Sequence, residues 1–153
     1  MRHLVILAAM LIFVGCQPAP DTSEAPSLEV EFLNSASALP DAPFSQAVRV
    51  GKLLFMSGQI GVMPGTREFP DGGFDPQAHQ VMTNIKNTVE LFGSSMDRVV
   101  KCLVMIEDMS RWADFNTVYV QYFPGPKPAR SAFGANGLAL GAQFEVECIA
   151  TLP

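Results

Sequence analysis

Apolar and polar residues alternate over Leu28-Glu29-Val30-Glu31-Phe32-Leu33, the period-two pattern of a half-buried strand. Residues 47–50 and 53–57 are two more apolar runs, joined by Gly51-Lys52, a link that suits a tight hairpin. Residues 61–73 hold Pro64, Gly65, Pro70, Asp71, Gly72 and Gly73 and read as a loop. The period then changes. Val81, Ile85, Thr88, Val89 and Phe92 recur at helical spacing and define a core-facing stripe, with His79 off it as a solvated position. Asp75 is placed to cap this helix with Pro76 at its first position, and Gly93 to end it in a left-handed cap. Residues 99–106 form a strand whose single charge is Lys101. Ser110 is expected to cap a second helix from 111 to about 123, with Trp112, Phe115, Val118, Tyr119 and Tyr122 as its apolar or aromatic positions. Pro124-Gly125-Pro126 stops it. A short extended piece (129–133), a Gly- and Ala-rich stretch (134–141) and an alternating strand (144–150) complete the chain. From Ala47 onward the order is β-β-α-β-α-β-β. It predicts an α+β domain, a mixed sheet with both helices on one face. The other face carries apolar residues too, which predicts packing against another subunit.

The first sixteen residues, MRHLVILAAMLIFVGC, do not fit this plan. A basic start (Arg2, His3) precedes an apolar stretch of signal-peptide length, too short to span a bilayer comfortably. Its end, Phe13-Val14-Gly15-Cys16, resembles a bacterial lipoprotein cleavage box, with Phe13 where Leu is usual. The resemblance implies cleavage before Cys16 and diacylglycerol attachment to its sulfur. Residues 17–27 are rich in Pro, Ser, Ala and acids and read as a flexible tether. The chain therefore divides into a signal peptide (1–15), a lipid-anchored tether (16–27) and one folded domain (28–153). The domain would face the periplasm or the outer side of a membrane. Gln17 after the cysteine makes outer-membrane sorting the default.

The formal net charge is −5, and loss of residues 1–15 leaves nine cations against fifteen acids, or −6. An acidic surface without a Lys/Arg run argues against nucleic-acid binding. Two histidines, one in the signal, and three scattered cysteines do not make a zinc site. Cys102 and Cys148 lie in apolar strand-like runs, where cysteine commonly serves as a small buried hydrophobe. Whether they pair after export is open.

Three segments resemble the RidA (YjgF) family. One is Ala42-Pro43-Phe44-Ser45-Gln46-Ala47 with Ser57-Gly58-Gln59-Ile60. The second is Asp108-Met109 with Phe115-Asn116-Thr117-Val118-Tyr119 and Tyr122-Phe123. The third, and the most specific, is Pro128-Ala129-Arg130-Ser131-Ala132 followed by Phe144-Glu145-Val146-Glu147. The resemblance implies a homotrimer with clefts at subunit boundaries. It also implies hydrolytic deamination of reactive 2-enamino or 2-imino acids, such as 2-aminoacrylate, to 2-keto acids and ammonia. No metal or cofactor is implied.

By the same resemblance Arg130 would hold the substrate carboxylate, a match for its planar fork of donors. Glu145 would orient the attacking water. Ser57, Asn116, Phe44 and Ala132 fall at positions near the ligand. Phe44 stands where many deaminating members have Tyr, Ala132 where several have Cys, and Gly61 where Pro is common. Two other classes compete. A non-catalytic trimer binding small carboxylates in the cell envelope is favoured by the export signal, since enamines of pyridoxal-phosphate enzymes arise in the cytoplasm. The family's endoribonuclease label is opposed by the acidic charge and the lack of a histidine pair.

Overall fold

A computed structural model describes residues 28–36, 38 and 41–153. Cys16, the signal segment and the tether lie outside the described residues.

The alternating pattern at the start of the domain becomes β1 (Val30–Leu33), shorter than the run suggests. Gly51 takes φ +55 and, with Lys52, turns β2 (Ala47–Val50) back onto β3 (Leu53–Met56), with Val50 opposite Leu53. The chain then steps at Ser57-Gly58 into β4 (Gln59–Ile60), a short strand the sequence pattern does not reveal. β5 (Val99–Ile106) and β7 (Phe144–Thr151) run antiparallel at the centre, and β6 (Ala129–Gly134) lies parallel to β5. The sheet order is β1-β2-β3-β7-β5-β6, and β4 continues the line of β3 along β7. The sheet is therefore mixed, and both helices cover one face of it, as expected.

The first helix, α1 (Phe74–Leu91), begins one residue before the position Asp75 was expected to cap. Gly73, at φ +77, is its N-cap, and no side chain caps it. Packing explains the difference. Phe74 is buried edge-on against Phe144, ring centroids 4.5 Å apart, with the Arg111 guanidinium 3.7 Å over its ring. The helix end matches expectation. Gly93, at φ +86, donates to Glu90 O while Ser94 N donates to Val89 O, a paired closure that satisfies the last carbonyls.

The second helix is also capped otherwise than expected. The Asp108 carboxylate accepts from Ser110 N at 2.9 Å, and hydrogen bonding from Ser110, its side chain first and its backbone amide second, holds that carboxyl below the usual range. A 3-10 turn (Met109–Arg111) leads into α2 (Trp112–Tyr119), and a second one (Val120–Tyr122) follows it. The predicted helix over 111–123 is thus one α-helix of two turns between tighter turns.

The core lies between sheet and helices. Val81, Met82, Ile85 and Val89 of α1 and Phe115 of α2 meet Leu54, Val104, Val146 and Phe144 of the strands, all almost wholly buried. Strand alternation follows: Cys102, Val104 and Ile106 of β5 and Phe144, Val146, Cys148 and Ala150 of β7 point to the helices. Cys102 and Cys148 sit opposite each other on these strands and are joined by a disulfide. The far face of the sheet is uncovered. Val30, Phe32, Leu53, Phe55 and Phe133 are exposed there, Phe32 at 73%.

Candidate active site

The residues singled out in the sequence fall into two clusters. Edge strand β6 carries the first. Arg130 is in register with Cys102, so it faces the helices. Its guanidinium donates to Asn116 Oδ1 at 2.8 Å and lies 4.4 Å from the ring centroids of both Trp112 and Tyr119. All three partners come from α2, one or two turns apart, so the helix presents them as one wall. Amide and rings fix the side chain's direction without neutralising it. Among the described residues no carboxylate pairs with Arg130. Ala132, two residues along, is half-buried on the same face.

Tyr119 is almost wholly buried, and its phenol oxygen has no hydrogen-bond partner among the described residues. Burial pushes its pKa up to about 12, against the opposing pull of Arg130. In the sequence Trp112 and Tyr119 are apolar or aromatic helix positions, and Tyr119 also belongs to a family-like segment, but neither is singled out as a site residue. Their place beneath an arginine becomes visible once β6 is seen to pair parallel to β5.

The second cluster surrounds the step between β3 and β4. Ser57 Oγ donates to Ser45 O at 2.6 Å, and Ser57 N to Gln46 O at 3.0 Å. Ser57 therefore ties the segment carrying Phe44 to the sheet, and Phe44 itself is exposed. Ile60 is in register with Glu145. A Cβ built on Gly58 would lie 2.0 Å from Glu145 Oε1, so glycine is what lets the carboxylate lie against the chain there.

Glu145 is half-buried, and its pKa is raised by burial first and by the neighbouring Glu147 charge second. The two glutamates share a face, as their spacing predicts. A carboxylate of raised basicity at a confined point can accept a proton from water. Asn84 supports this corner from α1, donating to Ile60 O at 2.9 Å and Val62 O at 2.8 Å. In sequence it looks like an ordinary polar helix residue.

The chain does not bring the two clusters together. Arg130 and Ala132 point to the helix face of the sheet, whereas Glu145 alternates with Phe144 and Val146 and points to the open face. β5 runs between their strands.

Residues 35–152 match the family described as Endoribonuclease L-PSP. Reactive Intermediate Deaminase A from the chloroplast of Arabidopsis thaliana is 38% identical over 110 residues, which are 72% of this chain and 59% of that protein. The 2-iminobutanoate/2-iminopropanoate deaminase of Mus musculus is 35% identical over 108 residues, covering 71% of this chain and 80% of the mouse protein. Among solved structures, the yeast protein YEO7 superposes with a TM-score of 0.76 at 40% identity, covering 82% of this chain and all of that one. The matched span, the relatives and the shared fold make this chain a member of the endoribonuclease L-PSP family, the RidA family that its Pro-Ala-Arg-Ser segment resembles.

Proposed function

We propose that the protein is an enamine/imine deaminase whose active site is completed between neighbouring copies of the chain. The observation that carries this reading is Arg130. A guanidinium aligned by Asn116, Trp112 and Tyr119 on an edge strand, with no carboxylate partner among the described residues, is prepared for an external anion. A 2-imino acid supplies one. The names of the Arabidopsis and mouse relatives support the same chemistry.

In this reading a homotrimer packs its open sheet faces together, covering Phe32, Phe55 and Phe133, and sets the β6 edge of one copy beside the Ser57–Glu145 corner of the next. The substrate enamine takes a proton on its β-carbon to become the imine. Arg130 holds the carboxylate while Glu145 accepts a proton from water. The oxygen adds to the imine carbon, the nitrogen is protonated, and the carbinolamine collapses to a 2-keto acid and ammonia. The imine carbon is already electrophilic, so orientation and one acid–base group suffice. Ser57, Asn116, Phe44 and Ala132 line or position the cleft.

Ammonia release from an enamine generated in situ tests the reading. Arg130→Ala should abolish detectable release and weaken 2-keto acid binding roughly 10- to 100-fold, given that about 1.4 kcal/mol is tenfold. Arg130→Lys should rescue poorly, because an ammonium lacks the planar fork. An Arg130→Ala protein that melts like wild type and deaminates equally well would contradict it.

We also propose that the protein works in the cell envelope, held by lipid on Cys16 with the domain on the periplasmic or outer side. The Gly15-Cys16 box and the tether behind it support this. The Cys102–Cys148 disulfide suits an oxidising compartment. Cys16→Ser should leave an unprocessed precursor. A wild-type protein that is soluble and still carries residues 1–15 would overturn the proposal.

A further inference from the structure

A cavity of about 440 Å³ adjoins the second cluster where β4 meets α1. Phe44 and Gly58, already placed at the candidate site, form part of its lining, and Ile60, Met63 and Leu140 extend its apolar wall. That volume falls in the range of small-molecule pockets, roughly 300–1,000 Å³. It is out of proportion to 2-aminoacrylate, whose side chain is one carbon.

Leu140 is a second and independent observation. Among the described residues it is the only non-glycine with positive φ (φ 58, ψ 15). The left-handed region is unfavourable for leucine and free for glycine. Its side chain is 57% exposed, so core packing in this chain does not explain its presence. A strained, exposed apolar residue on a cavity wall is placed for something other than the fold.

We infer that this cavity is the side-chain pocket of the site, and that the preferred substrates are 2-imino acids with large apolar side chains, aromatic above all, with Leu140 as a specificity-determining wall. The inference rests on the deaminase reading, because it takes the carboxylate and imine to lie at the cleft proposed there. Phe44 contributes to it directly. A ring without a hydroxyl makes that wall apolar where a tyrosine would bring a polar group.

Titration calorimetry on the purified full-length protein, with pyruvate, phenylpyruvate and 2-oxoglutarate as product probes, tests it alongside hydrolysis of the matching imines generated by an amino-acid oxidase. Phenylpyruvate should bind at least about tenfold more tightly than pyruvate, as burial of a ring on an apolar wall requires. The aromatic imine should show the higher kcat/KM. Leu140→Gly fits the backbone without strain, so its melting temperature should not fall. Its preference for phenylpyruvate over pyruvate should shrink about five- to tenfold.

Equal affinities for phenylpyruvate and pyruvate with normal imine hydrolysis would overturn the side-chain pocket alone. So would tightest binding of 2-oxoglutarate, which would assign the cavity, with Arg67 on its lining, to an anionic side chain. A Leu140→Gly protein with an unchanged preference would remove Leu140 from the wall. Absence of both binding and hydrolysis would bring down this inference and the deaminase reading together.

Discussion

Gly58 shows how much one missing side chain can decide. Glu145 Oε1 occupies the space a Cβ would take, 2.0 Å away. In Gly58→Ala the carboxylate, the mobile end of a flexible side chain, must move. Deamination should fall by at least about tenfold, on the scale of losing a general base that contributes 10²–10⁴-fold, while the melting temperature changes little. An active Gly58→Ala enzyme would show that the observed Glu145 position is not the working one. The same glutamate sets an expected pH profile. Burial and the Glu147 charge raise its pKa, so if Glu145 is the base of the proposed mechanism, activity should be lost as pH falls at a higher pH than an ordinary glutamate would give. Stability follows the opposite sense. The folded form holds this proton more tightly than the unfolded form, so Glu145 disfavours folding once pH rises through the carboxylate range. Glu147→Gln removes one of the two causes and should move the acidic limb of kcat/KM to lower pH. An unmoved limb would assign it to another group.

At the scale of elements, the residue pattern was a good guide wherever packing and local preference agree. The hairpin at Gly51-Lys52, the α1 stripe with its Gly93 ending, and β5 as a whole were legible for that reason. It failed where tertiary contacts override local signals. Phe74 is drawn into the helix by Phe144, and a carboxylate at Asp108 takes the amide of Ser110, the residue expected to cap. β4 is two residues long and is made by its pairing with β7, with Asn84 holding the carbonyls of Ile60 and Val62 beside it, long-range contacts with no local signature. β1 alternates as its pattern predicts, but Val30 and Phe32 fall on the open face, while Leu33 packs against the core and Glu31 pairs with Arg49 on the helix side. The candidate residues were legible as types in a spaced pattern. Their division between two faces was not, because it depends on register. The disulfide belongs to this scale as well. It links the two central strands across a separation of 46 residues, and Cys102 is the register partner of Arg130. Replacing both cysteines by alanine should cost about 2–4 kcal/mol of stability, read as a lower denaturant midpoint. An unchanged midpoint would mean that the pair adds no constraint to the folded domain.

For the whole molecule, one chain has an exposed apolar sheet face and a site in two separated parts. In the proposed trimer, burying Phe32, Phe55 and Phe133 against copies of the same chain would account for the first, and joining Arg130 of one copy to Glu145 of the next would account for the second. Cyclic symmetry repeats that junction at every boundary. The most direct measurement uses two inactive parents, Arg130→Ala and Glu145→Ala, co-produced with different tags so that trimers containing both can be isolated. Whichever variant is in the majority, each mixed trimer has one boundary where an intact Arg130 meets an intact Glu145. The account predicts that mixed trimers recover about a third of wild-type ammonia release, one cleft in three by symmetry. Mixed trimers as inactive as their parents would contradict it.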